Sequence, residues 1–186
     1  MPQTHIKNFK VSFYLPQASQ HSASIQSKQP LASRVCHSFY VWRTKFVFTL
    51  FYKGHVNCTK ITSLEEIGQA QQELATLLDI SPASAIDYRI DNITASFTSH
   101  QPILVDAFAC FVQQFDLVAH YNPLRFPGAK IKTSFGTILI FSSGKASFIG
   151  SQSVQAIQSQ EKLLLSILNA FHRMHPPPTL HCHRYP

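Results

Sequence analysis

Ile6–Phe13 reads IKNFKVSF, and Ile90–Phe97, 84 positions later, reads IDNITASF. Both octapeptides put asparagine third, alternate polar and apolar residues after it, and end in Ser-Phe. Alternation with a period of two marks a strand with one buried face. In the first copy it assigns Phe9, Val11 and Phe13 to the core and Ile6, Asn8, Lys10 and Ser12 to the other side. A second recurrence, Phe51-x-x-Gly54 and Phe141-x-x-Gly144, lies 90 positions apart and closes a strand with a glycine turn each time. The chain is therefore read as an internal repeat.

The segments between these anchors recur in the same order. "SLEEIGQAQQELATLLD" (63–79) has a helical stripe of Ile67, Ala70, Leu74, Leu77 and Leu78, with Ser63 as the expected N-cap and Glu66 as its capping-box partner. "SFYVWRTKFVFTLFYKGHVNCTKI" (38–61) breaks into hairpin strands at Arg43-Thr44-Lys45 and at Tyr52 to His55. In the second half, "ILVDAFACFVQQF" (103–115) reads as a helix. "AKIKTSF" (129–135), "TILIFSSG" (137–144) and "KASFIG" (145–150) read as three strands, and "VQAIQSQEKLLLSILNAFHRM" (154–174) as a long amphipathic helix. The Ser/Gln-rich stretch 16–34 reads as a loop or a poor helix. An antiparallel sheet with all helices on one face is the simplest packing, which leaves the other face bare. The expected units are residues 1–82, residues 86–175 and a loose His/Pro-rich tail, 176–186.

Charge follows the same division. Residues 1–60 carry eight Lys/Arg and no acid, residues 61–120 eight acids and Arg89 alone, and residues 121–186 seven bases and Glu161 alone, within a net charge of +7. Bringing the two basic thirds together creates a positive face suited to a polyanion. The four cysteines form no C-x-x-C, and no secretion signal is evident, so free thiols in an intracellular protein are expected. No apolar run reaches the roughly 20 residues that span a bilayer. His172, His175, His181, Cys182 and His183 have no closed zinc spacing. "SSGK" lacks the spacing of a phosphate loop, and no paired carboxylates or activated nucleophile stand out. No metal, cofactor, small-molecule substrate or enzymatic activity is expected.

"IDNITASF", "YNPLRFPG" (121–128), "ILIFSSGK" (138–145) and the closing helix together resemble the TATA-box-binding protein family over about residues 88–173; the first half resembles it more faintly. The resemblance implies an α+β saddle of two pseudo-symmetric repeats: one curved antiparallel sheet, helices on its convex face, and the minor groove of double-stranded DNA against its concave face. It implies that Phe126 and Phe141 wedge between base pairs. Phe51 matches one member of a second pair, whose other member falls near Ser33 and Arg34. Asn8 and Asn92 match asparagines that contact the groove floor, with Thr59, Leu139 and Thr94 beside them. Lys132 and Lys145 match phosphate contacts, Arg125 and Lys10 are expected to join them, and His55 stands where a lysine belongs. Lys10, Thr94, Asn57 and Ser147 make the face more polar than the family's. A transcription-initiation role in the nucleus, or at a site of viral transcription, is implied, with TFIIA- or TFIIB-like partners. The rival reading is a module of this fold that has lost DNA bending and binds transcription-factor partners.

Overall fold

The computed structural model describes residues 2–15, 33–35, 38–41, 45–51, 55–81, 83, 86–99 and 101–175. Strand β1 (Gln3–Tyr14) is followed by β2 (Ser33–Val35), β3 (Ser38–Val41), β4 (Val47–Phe51), β5 (His55–Ile61) and helix α1 (Glu65–Leu78). The second half runs β6 (Asp87–Thr98), α2 (Val105–Val112), a 3-10 turn (Gln113–Phe115), β7 (Val118–Asn122), β8 (Phe126–Thr133), β9 (Gly136–Phe141), β10 (Lys145–Ser151) and α3 (Val154–Met174). The strands form one antiparallel sheet in the order β2-β3-β4-β5-β1-β6-β10-β9-β8-β7. Residues 52–54 of the Phe51-x-x-Gly54 turn, most of the 16–34 stretch and the tail lie outside the described residues.

Two assignments change. Ser33 and Arg34, read as the end of the loop, belong with Val35 to an edge strand. Val118–Asn122, unassigned by pattern, is the opposite edge strand; only Ala119 and Tyr121 pack against the core, and both stay half-buried, so its apolar period is weak.

Odd and even positions sort as a half-buried sheet requires. Phe9, Val11, Phe13, Phe48, Val56, Phe97, Ile138, Ile140 and Phe148 point to the helices and are fully buried. Leu74 of α1, Phe108 of α2 and Phe171 of α3 meet them from above, with the Phe108 and Phe171 rings edge to face at 5.2 Å. Burying each such ring removes roughly 2–3 kcal/mol of apolar hydration cost. This one-sided burial holds the helices to one face, and among the described residues no helix covers the other. Helix α3 opens as expected of a capped helix: the Ser153 hydroxyl accepts from the Ala156 N–H at 3.1 Å. At α1 the cap shifts from the expected Ser63. The Glu66 carboxylate reaches back to the Thr62 N–H at 2.8 Å and to the Thr62 hydroxyl at 3.0 Å. Lys45, 2.6 Å away, then Thr62, hold Glu66 below the usual carboxylate range. Cys58 and Cys110 are free thiols, and burial, then the charge of Glu73, pushes the Cys58 thiol up to about 12.

Strands β1 and β6 form the centre of the sheet. Phe9 lies opposite Ile93, flanked by Asn8 opposite Thr94 and Lys10 opposite Asn92. Since residue i of β1 corresponds to i + 84 in β6, this register is its own mirror, and a pseudo-twofold axis passes beside Phe9 and Ile93. The register slips once on each side, between Ile6 and Asn8 and between Lys10 and Val11, where Val11 faces Ile90. Each slip turns an isoleucine over. Ile6 and Ile90 pack against the core from the helix face, which corrects the expected placement of Ile6 beside Asn8.

Candidate nucleic-acid interface

The open face is built from the polar side of this alternation. Asn8, Lys10, Asn92, Thr94, Thr59, Leu139, Phe51, Phe126 and Phe141 are all half-buried on it, and Lys132 and Lys145 are exposed. Arg125 is exposed in the turn before β8, where its N–H donates to the Asn122 carbonyl at 3.0 Å. Lys10 sits opposite Asn92 at the centre of the face. Its stem thus rises from the floor of the face, while Lys132 and Lys145 lie toward its second-repeat end.

Each asparagine is fastened in a matched way. The backbone N–H of Lys60 donates to Asn8 Oδ1 at 2.8 Å, and that of Gly150 donates to Asn92 Oδ1 at 2.6 Å. Lys60 and Gly150 occupy equivalent bulges with left-handed backbones, φ 66° and 84°. A backbone N–H can only donate, so the amide oxygen must face the bulge and the NH2 must face away. The Asn92 NH2 also reaches Thr94 Oγ1 at 3.4 Å. Two donors are thereby held at symmetric points. A left-handed lysine costs roughly 1–2 kcal/mol that glycine avoids, partly offset by glycine's greater unfolded-state entropy. Lys60→Gly should therefore stabilise the fold by about 0.5 kcal/mol and raise the thermal midpoint by about 1–2 °C; a lower midpoint by circular dichroism would contradict this.

At the second-repeat end, Phe141 lies opposite Gly128 on the adjacent strand, and the Phe126 and Phe141 rings meet at 5.6 Å with a 58° tilt. A Cβ on Gly128 would stand 3.0 Å from both rings and 2.9 Å from the Ile140 carbonyl. Glycine is what lets the two rings close over this position. Lys130 Nζ lies 5.1 Å from the centre of the Phe126 ring. A shallow pocket of about 380 Å³ beside them is lined by His120, Tyr121, Asn122, Arg125 and Lys130 among others. After Phe141 the chain turns at Gly144, with the Gly144 N–H on the Phe141 carbonyl at 2.9 Å and the Ser99 N–H on the Gly144 carbonyl at 3.1 Å.

The first-repeat end is different. Phe51 lies flat against His55, with ring centres 4.3 Å apart and planes 2° apart. Ser38 faces Phe51 as Gly128 faces Phe141, so the counterpart of Phe126, two residues before, is Cys36. The expected place near Ser33 and Arg34 is moved by this register, and Cys36 lies outside the described residues. Ser12, buried on the open face, donates its hydroxyl to Asp91 Oδ2 and lies 3.1 Å from Asn57 Oδ1, while Arg89 holds the other Asp91 oxygen at 3.0 Å.

Sequence reasoning passed over Lys130, although its alternation with Lys132 in "AKIKT" carried the signal. It also passed over the Ser12–Asn57–Asp91 cluster. That cluster joins three strands, and no local pattern announces it.

A family model described as transcription factor TFIID, or TATA-binding protein (TBP), matches residues 87–171. The chain also superposes on Methanococcus jannaschii TBP with a TM-score of 0.73 and 21% identity, over 90% of this chain and 99% of that one. The fold is TBP-like. Its sheet and helices form the TBP saddle, with the open face as the concave one and the helices on the convex one. No curated protein sequence matches it. Among the described residues no helix is long and apolar enough to cross a membrane, and none of their His, Cys, Asp and Glu side chains cluster as metal ligands would.

Proposed function

We propose that this TBP-like chain is a transcription-initiation factor that binds A·T-rich duplex DNA in the minor groove through its open face and bends it. The observation that carries this reading is the pair of asparagine amides fixed with their NH2 groups outward at symmetric points. The floor of the minor groove offers A N3 and T O2 as acceptors, and a G·C pair adds a protruding amino donor that two such amides would meet head-on. Phe126 and Phe141 are the wedge, Thr59, Leu139 and Thr94 line the floor, and Lys132, Lys145 and Arg125 neutralise phosphates. Lys10 serves the floor or a phosphate within reach of its stem. TFIIA- or TFIIB-like factors are the partners such a complex would recruit, in the nucleus or wherever viral transcription occurs.

Replacing Asn8 and Asn92 together by alanine should lower the preference for A·T over G·C duplexes by about 1–2 kcal/mol, near tenfold, in competition binding. In the same assay Lys145→Ala should flatten the slope of log affinity against log salt by about 0.9. A folded sample with no affinity for any duplex at low salt would refute the reading.

One observation favours the rival, an interaction module without DNA bending: the Asp91 carboxylate on the open face ties up the Arg89 guanidinium at 3.0 Å, a cation thereby withheld from phosphate. Duplex bending by the wild-type protein separates the two readings.

A further inference from the structure

We infer that the open face engages its duplex from one end only, unstacking a single base step under the second repeat and resting without insertion on the first. This deepens the proposed function and rests on it. The two ends share the register of their inner strand pairs, β3 with β4 and β8 with β9, and are unlike by chemistry. At the second-repeat end two half-buried rings touch over Gly128, and Lys130 lies against one of them. At the first-repeat end the face of Phe51 is already covered by His55. An inserted ring stacks on bases through its faces, and His55 already takes one face of Phe51. By the sequence offset of 90, the residue that corresponds to Phe126 is Cys36, not an aromatic.

Charge points the same way. The offset of 90 places Tyr40 where the second repeat has Lys130, and His55 where it has Lys145. Across the central seam the equivalent bulge residues are Lys7 and Asp91. Asp91 lies over Ser12 and Asn57 on the first-repeat side; symmetry puts Lys7 over Ser96 and Ser147 on the second-repeat side. Lys130 and Lys145 thus stand on the wedge side at positions where the first repeat has Tyr40 and His55, and Asp91, paired with Arg89 at 3.0 Å, sits on the first-repeat side.

The test is permanganate reactivity of thymines in a short duplex with one A·T-rich run, bound by the full chain, since unstacked thymines react and stacked ones do not. One reactive cluster per bound protein is expected, and it should vanish with Phe141→Ala; Phe126→Ala gives the same reading should that variant fail to fold. Two clusters separated by the length of the site would overturn the inference and leave the proposed function standing. A bound duplex with no reactive cluster, or no binding, would overturn both.

Discussion

With Phe126 and Phe141 both changed to alanine, the protein is expected to stay folded and to lose nearly all duplex bending. Both rings lie half-buried on the open face and lean mainly on each other across Gly128. Their removal exposes little core, so the stability loss should be about 1–2 kcal/mol. The functional loss is larger for a physical reason. Opening a base step costs a few kcal/mol, and only an apolar group that fills the gap and draws more protein surface onto the bent duplex returns it. Alanine fills nothing. Affinity for an A·T-rich duplex should fall by roughly 30- to 150-fold, the equivalent of about 2–3 kcal/mol. End-to-end energy transfer across a doubly labelled duplex should report a nearly straight bound form. A double variant that bends DNA as the wild type does would remove the wedge from the mechanism.

The second large effect is on the fold. Gly144 has φ 76°, and a Cβ there would run into the Gln101 carbonyl and the Ser99 hydroxyl. Neither neighbour can yield easily. Ser99 donates its hydroxyl to the Gln101 carbonyl at 3.0 Å, its N–H holds the Gly144 carbonyl, and Ile103 donates to the Ser142 carbonyl at 3.0 Å. Gly144→Ala therefore combines a left-handed alanine, about 1–2 kcal/mol, with displacement of the segment that joins β6 to α2. A total near 3 kcal/mol is expected, lowering the thermal midpoint by about 6–12 °C. An unchanged midpoint would show that the turn is not pinned by Ser99, Gln101 and Ile103. Because Gly144 follows Phe141 by three positions, the variant should also loosen the wedge and weaken bending more than it weakens non-specific binding at low salt.

The sequence displayed what is local and hid what crosses strands. Asn8 and Asn92 were visible because each repeats within an alternating octapeptide, and Phe141 because Ile138 and Ile140 so clearly take the other face. Ile6 was misplaced because the slip that turns it over belongs to the pairing of β1 with β6, which no one-strand pattern contains. The counterpart of Phe126 was sought at Ser33 and Arg34 because similarity, unlike register, does not count residues across a hairpin. Strand β7 escapes because its apolar period is only two half-buried residues long, Ala119 and Tyr121, with Val118 exposed. The hydrogen bonds from Lys60 and Gly150 that orient the two amides had no signature beyond one glycine. Its counterpart is a lysine.

The seam of β1 against β6 carries a consequence for the chain as a whole. Since Phe9 faces its own counterpart, Ile93, a free second half would expose a twelve-residue edge able to pair with another copy of itself in the same register, Ile93 against Ile93. The molecule is thus arranged as a dimer joined into one polypeptide. In a self-paired product both bulges of the seam would carry Asp91 and neither Lys7, setting two carboxylates on a face from which the balancing lysine is gone. Covalent joining lets the halves carry opposite charges at one structural position, which two identical subunits could never do.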